Sequence, residues 1–361
     1  MAAALFESYD LKKLTLSNRI VMAPMTRCRA TTDHVPTDLM ATHYAQRADA
    51  GLLITEGASP APEGLGYARI PGLYNQTHVA AWRKITDAVH EKGGHIFVQL
   101  MHTGRVSHPL NMPEGTKVLA PSAIAHSENM WTDQQGMQEL PVPQAMSEED
   151  IQKTIEAYAN SAELAIEAGL DGVELHAANG YLIDQFLNVA SNQRNDRWGG
   201  SVENRARFAL EVAKLVAARI GSERTGIRLS PYGVFNGMTP DDEMENLSQY
   251  LATELSKLGL VYIHIVDHSA LGAPEVPWES KNAIRKCFGG TIILAGGYGG
   301  ETANADLQAG RGDLIAFGRP FISNPDLVQR LQENAQFAEP DMDTFYTPDE
   351  KGYNDYPLLN A

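Results

Sequence analysis

The chain has 361 residues, two cysteines and a formal charge of −16. The acidic balance argues against a nucleic-acid partner, which needs clustered Lys and Arg. Cys28 and Cys287 alone exclude a disulfide scaffold and a four-cysteine iron–sulfur or zinc site. No stretch approaches the roughly 20 apolar residues that span a bilayer, and the first residues lack a basic, apolar leader. A cytoplasmic protein in a reducing compartment, with no membrane partner, is expected.

Residues 5–18 read as a short capping hairpin that closes the bottom of the fold. Eight short apolar runs come next: Arg19–Met22, Gly51–Thr55, His95–Leu100, Asp171–Leu175, Gly226–Leu229, Val261–Val266, Thr291–Leu294 and Asp313–Phe317. Each is rich in Val, Ile and Leu and is closed by Gly, Pro or a polar residue, as strands buried on both faces are. Most precede a segment of helical period. Strand–helix repeated eight times predicts an α/β fold, a (β/α)8 TIM barrel, with residues 1–361 as a single domain.

Helix boundaries are readable. Ser147-Glu-Glu-Asp150 looks like a capping box, with Gly169 as its stop. Thr239-Pro240-Asp241-Asp242 predicts a second start, closed by Gly259, and Asn324-Pro325-Asp326 a third. Residues 102–146, punctuated by Pro109, Pro113, Pro121, Pro141 and Pro143, are too long for a plain loop. They predict a lid after strand three, with a small hairpin inside. The tail, 335–361, is expected to fold over the same face, anchored by Phe345 and Tyr346.

Barrel chemistry sits at the C-terminal ends of the strands. Gly296-Gly297 after strand seven and Gly318-Arg319 after strand eight suggest a phosphate monoester, held by close backbone N–H groups and a guanidinium. The plainer alternative is that these glycines only turn the chain. Gln99 and Arg228 would point along the barrel axis. An Arg there needs an anionic partner, and a planar ring that turns anionic on reduction is one. His176 and Asn179, three apart, read as one helical turn sharing a face. Both can donate to one ligand oxygen, and Tyr181 offers a proton. A zinc reading of His176 is weak, since no carboxylate or second His stands at metal spacing.

Several longer motifs resemble the Old Yellow Enzyme family of FMN-dependent ene-reductases. They are Ala23-Pro24-Met25-Thr26, Val98-Gln99-Leu100, His102-Thr-Gly-Arg105, Glu174-Leu-His176-Ala-Ala-Asn179-Gly-Tyr181-Leu-Ile-Asp-Gln-Phe186-Leu and Ser191-Asn-Gln-Arg194. Trp198-Gly-Gly200-Ser-Val-Glu-Asn-Arg205, Phe317-Gly-Arg319-Pro-Phe-Ile-Ser-Asn-Pro-Asp326-Leu and Gly352-Tyr-Asn-Asp-Tyr-Pro357 extend the resemblance along nearly the whole chain, in order.

The resemblance implies an FMN barrel, non-covalent and tight, that takes hydride from NADPH or NADH. It would then reduce the activated C=C bond of α,β-unsaturated carbonyl or nitro compounds. It implies that Thr26 bonds the flavin C4 carbonyl, Gln99 the pyrimidine edge, and Arg228 the region of N1. Ala23, Pro24, Met25 and Gly57 would line the ring; Gly296, Gly297, Gly318 and Arg319 would hold the phosphate. His176 and Asn179 would bind the substrate oxygen, with hydride passing from flavin N5 to the β-carbon and a proton from Tyr181 to the α-carbon. Nicotinamide and alkene would share one pocket in ping-pong order, which accounts for the missing Gly-x-Gly-x-x-Gly fingerprint.

Thr26, rather than Cys, sets the chain apart from the branch with a redox-tuning Cys at that position; Cys28 is out of register. Met101 stands where many members have Trp, which implies a more open, flexible pocket. Tyr67 and Tyr346 match family pocket tyrosines. Three alternatives remain at this level. One is a dienoyl-CoA or trimethylamine dehydrogenase relative, for which the chain lacks the cysteines and length. Another is a metal hydrolase built on His102, His176 and His268. The last is a flavin carrier without turnover. A monomer or small homo-oligomer is expected.

Overall fold

The structure, a computed structural model, describes residues 3–360. Met1, Ala2 and Ala361, which the leader reading and the 1–361 span include, lie outside the described residues. An antiparallel hairpin, β1 (Tyr9–Leu11) and β2 (Leu14–Leu16), comes first. The barrel begins with β3 (Ile20–Met22), β4 (Leu52–Ala58) and β5 (Ile96–Leu100). An excursion then adds four short strands, β6 (Leu119–Ala120), β7 (Asn129–Thr132), β8 (Gly136–Glu139) and β9 (Gln144–Ala145). The barrel resumes with β10 (Gly172–Ala177), β11 (Thr225–Leu229), β12 (Tyr262–Val266), β13 (Thr291–Ala295) and β14 (Leu314–Phe317). β14 pairs back onto β3 and β5 onto β10, so the parallel barrel closes as expected.

Every residue of these eight strands is buried, which is why each reads as an unbroken apolar run. Alternate residues then serve two cores. Val21, Leu52, Ile54, Phe97, Tyr262, Ile293 and Leu314 fill the barrel with Leu11 and Leu16 of the hairpin. Ile20, Met22, Leu53, Val98, Leu175, Ile227, Ile263, Ile292 and Ile315 face the helices. The hairpin plugs the N-terminal end, where Tyr9 Oη lies 2.9 Å from Thr291 Oγ1. That leaves the C-terminal end open as the mouth.

The outer ring consists of α1 (Asp38–Gln46), α2 (Gln76–His90), α3 (Glu148–Glu167), α4 (Leu182–Leu187) and α5 (Val202–Ile220). It continues through α6 (Met244–Leu258), α7 (Trp278–Cys287), α8 (Gly300–Gln308), α9 (Arg319–Ser323) and α10 (Leu327–Glu333). The Ser147/Asp150 capping box forms, and Gly169 turns out of α3 at φ +91°. Gly259 closes α6 in the left-handed region, φ +72°. The start of α6 differs from expectation: it begins at Met244, not Thr239. Arg205 claims Asp241 at 3.1 Å and Glu243 at 2.7 Å, and Asn188 Nδ2 donates to Thr239 O, so this acidic stretch is tied down as a loop.

The excursion contains the expected hairpin, β7 against β8. It is pinned to the mouth by Gln185, which donates to Thr103 O and accepts from Arg105 N. The tail is pinned by arginines that the sequence did not flag. Arg27 donates to the carbonyls of Phe345 and Gly352, and Arg29 to those of Thr344, Phe345 and Asp349. Phe345 is buried as an anchor, but Tyr346 is 61 % exposed and the second anchor is the fully buried Tyr353.

Candidate active site

The mouth is assembled from neighbouring strand ends. β13 pairs with β14 at Ala295 and Ala316, so the Gly296–Gly297 turn stands beside the Gly318–Arg319 turn. Gly297 has φ +64°, and a Cβ there would meet Ala270 Cβ at 2.6 Å. Ala23 N donates to Phe317 O at 2.9 Å, which carries Ala23, Pro24, Met25 and Thr26 past Gly318. Arg319 is exposed at this rim. Two adjacent glycine turns and a free guanidinium are what a phosphate monoester needs.

Deeper in the barrel the register places Gln99 against Glu174, His176 against Arg228, and Arg228 against His264. A bulge in β4 sets Gly57 opposite Gln99. Gln99 Nε2 donates to Glu174 Oε1 at 2.8 Å, and His264 Nδ1 donates to Glu174 Oε2 at 2.9 Å. Burial alone would raise the Glu174 carboxyl; His264, Arg228 and Gln99 outweigh it and hold the group below its ordinary range. Burial keeps His264 neutral, as a donor. One Nε2 hydrogen is engaged, so Gln99 keeps Oε1 as an acceptor and its second Nε2 hydrogen as a donor. Arg228 is 6 % exposed, and its Nε has no partner. Glu174 is the anion beside this guanidinium, and the unpartnered Nε leaves a buried donor that a further acceptor or anion would satisfy. These residues suit a group that accepts hydrogen bonds and carries negative charge beside Arg228, with a phosphate at the Arg319 rim.

His176 and Tyr181 come together, with Asn179 on the turn between them, but not on a helix. His176 lies within β10, and Asn179 and Gly180 form a left-handed turn, φ +59° and +72°, between β10 and α4. The spacing of three arises from a strand end followed by a tight turn. A Cβ on Gly180 would meet Phe235 O at 2.6 Å, so both space and backbone require glycine there. Asn179 N donates to Ser230 Oγ at 2.9 Å, and Gly180 N donates to Asp184 Oδ2 at 2.8 Å. Burial lifts the Asp184 carboxyl to about 7. Asp184 stands inside the quoted Tyr181–Phe186 motif with no role assigned to it there, and Ser230 carries no signal in the sequence.

His176 Nδ1 is buried without a partner, and burial, then Arg228 and the nearby histidines, hold the ring neutral. The Tyr181 ring stands 5.0 Å from it, edge on, and its hydroxyl is 3.0 Å from that of Tyr67. Burial raises Tyr181, while hydrogen bonds from Tyr67 and Asn236 oppose the shift. Met101 is 1 % exposed, packed over Gly57, where a Cβ would meet its Sδ at 2.7 Å. It belongs to one apolar cluster against which Tyr67 and Tyr181 pack. Cys28 is buried, its thiol pushed up to about 12, so it offers no thiolate.

The three histidines of the hydrolase alternative do not converge. Among the described residues no cluster of three metal-capable side chains exists. His102 Nδ1 accepts from Gly104 N at 3.1 Å, and burial pushes it down to about 3. His268 is occupied by Asn179 Oδ1 at 2.8 Å.

Fold and site together define a flavin-dependent barrel oxidoreductase. Residues 4–337 match the NADH:flavin oxidoreductase / NADH oxidase family. The chain belongs to that family, the Old Yellow Enzyme family. It is 44 % identical to a chanoclavine-I aldehyde reductase of Penicillium roqueforti, over 98 % of this chain and 95 % of the relative. It is 42 % identical to a probable flavin mononucleotide-dependent alkene reductase of Leishmania infantum, over 95 % and 94 %. Morphinone reductase superposes with a TM-score of 0.95 at 42 % identity, covering 100 % of this chain and 97 % of that one. One structure of that enzyme holds tetrahydroNAD. The protein is an FMN-dependent enzyme with a nicotinamide hydride donor, and it reduces activated alkenes.

Proposed function

We propose that the preferred substrate is an alkene conjugated to a carbonyl or nitro group, bound with its oxygen at His176 and Asn179 and protonated at the α-carbon by Tyr181. The observation that carries this is the convergence of a neutral imidazole with the Tyr67–Tyr181 hydroxyl pair at one side of the mouth. An aldehyde reductase and a morphinone reductase among the relatives support a carbonyl-bearing substrate.

FMN held there would supply the hydride, with NADPH or NADH as its source. Gln99, Arg228, Thr26, Gly57 and the Ala23–Met25 segment would hold the ring, and Gly296, Gly297, Gly318 and Arg319 the phosphate. Negative charge grows on the substrate oxygen as the β-carbon is reduced. His176 and Asn179 bind that charge more strongly than the neutral ground state, which is the differential stabilisation catalysis needs. Their neutral donors need no proton transfer to do so. Tyr181 keeps its proton through neutral pH because burial raises it, and Tyr67 stabilises the oxygen left behind. Tyr346, exposed beside these tyrosines, would contact the outer part of the substrate.

Removing one such donor costs about 10²-fold or more in rate. His176→Ala is therefore expected to slow reoxidation of the reduced enzyme by cyclohexenone by about 10²-fold, with FMN still bound. Stopped-flow flavin absorbance checks this. An unchanged rate would reassign the oxygen site.

The described residues include no helix long and apolar enough to cross a membrane. With this acidic, two-cysteine composition we place the chain in the cytoplasm, as one catalytic unit over 1–361 without a nucleic-acid or membrane partner, monomeric or in a small homo-oligomer.

A further inference from the structure

Asn179 is tied at every backbone group the turn leaves free. Its N–H donates to Ser230 Oγ at 2.9 Å, and its carbonyl accepts from Asn236 Nδ2 at 2.7 Å. These contacts hold the left-handed backbone at φ +59°, but they do not decide how the side-chain amide is turned. An amide has one accepting oxygen and one donating nitrogen. A substrate carbonyl can only accept. If the amide turns by half a rotation, it presents oxygen to oxygen.

One side chain faces that choice. His268, on the loop after β12, places Nε2 2.8 Å from Asn179 Oδ1, across the intervening strand β11. The Phe235 ring packs on the imidazole with centroids 4.4 Å apart, which limits its swing. We infer that His268 is a specificity-determining positioning residue: by donating to Oδ1 it keeps Asn179 Nδ2 turned toward the mouth as a donor for acceptor-only oxygens. The inference rests on the reading that Asn179 binds the substrate oxygen. Burial and Arg228 push His268 down to about 4, so the ring is neutral and has a single N–H to give.

The two half-reactions depend on this differently. The carboxamide of nicotinamide has both an oxygen and an NH₂ group, so it can pair with Asn179 in either orientation. A cyclic enone cannot. Loss of His268 should therefore penalise the enone and spare the nicotinamide.

The test uses holoenzyme carrying His268→Ala, His268→Gln or Asn179→Ala, with cyclohexenone as a neutral, acceptor-only probe. The dependence of reoxidation rate on enone concentration gives its Kd, and NADPH reduction is measured on the same samples. His268→Ala should raise the enone Kd about five- to tenfold, the usual worth of one neutral hydrogen bond, and leave the NADPH half-reaction within about twofold. His268→Gln, whose amide can also donate to Oδ1, should restore the enone Kd to within about twofold of wild type. Equal loss in both half-reactions, or no rescue by Gln, would mean that His268 merely packs and would overturn the inference. If Asn179→Ala weakens the enone and His268→Ala does not, the oxygen-binding reading stands and the inference falls. If Asn179→Ala leaves the enone Kd unchanged, the oxygen-binding reading itself fails, and the inference with it.

Discussion

Tyr181→Phe is expected to leave reduction of the bound FMN by NADPH at the wild-type rate and to slow reoxidation by cyclohexenone by about 10²–10⁴-fold, the range of one positioned general acid. The substitution removes only the hydroxyl. The ring keeps its edge-on contact with His176 and its place beside Met101 and Tyr67. The lost Tyr67 hydrogen bond costs about 1 kcal/mol of stability, too little to unfold the protein. Nicotinamide needs no proton from this side, so the first half-reaction has no use for the hydroxyl. Stopped-flow spectra of the two half-reactions separate the cases. Equal loss in both would mean that Tyr181 shapes the pocket and donates nothing.

Arg228→Gln is expected to weaken FMN binding by about 2–5 kcal/mol, the cost of truncating one partner of a buried charge pair. The apoprotein should lose little. Arg228 is buried, its Nε is unpartnered, and the carboxylate facing it, Glu174, already accepts from Gln99 and His264. Glu174 balances its charge, but with Nε unpartnered the guanidinium contributes little to the empty fold, so removing it should change the apoprotein Tm little. The holoprotein Tm should fall, because stabilisation by ligand shrinks as Kd rises. FMN titration and paired melting curves give both numbers. Wild-type affinity, or a larger Tm loss in the apoprotein than in the holoprotein, would remove Arg228 from the cofactor site.

The barrel was legible because its strands are buried on both faces; the hairpin that plugs it buries only Leu11 and Leu16 fully and keeps Asp10 and Thr15 exposed. The strand ends were less so. β4 runs on to Ala58 and β10 to Ala177, past Glu56 and His176. Polar residues at a barrel mouth look like terminators in sequence, although they are the residues the strand exists to present. The same ambiguity made His176 and Asn179 look helical. A spacing of three fits one helical turn, and it also fits a strand end followed by a left-handed turn. The residues proposed for ring and phosphate could be named from sequence because each follows a readable strand, and the ends of β13, β14 and β3 are neighbours in the barrel. Their supports could not. Glu174 meets His264 across 90 positions and Asn179 meets His268 across 89, with no period to reveal either pair. Arg27 and Arg29 reach the tail more than 300 residues away. The false start of α6 has a similar cause, since a good N-terminal signal at Thr239-Pro240 lost to the ion pairs of Arg205.

The most direct test tracks the visible spectrum of the purified holoprotein, anaerobically, through one addition of NADPH and then one of cyclohexenone. The account predicts flavin bands that bleach with NADPH and return with the enone, with saturated ketone as product. Bands that bleach and stay bleached would keep the flavin and contradict the alkene chemistry assigned to His176, Asn179 and Tyr181.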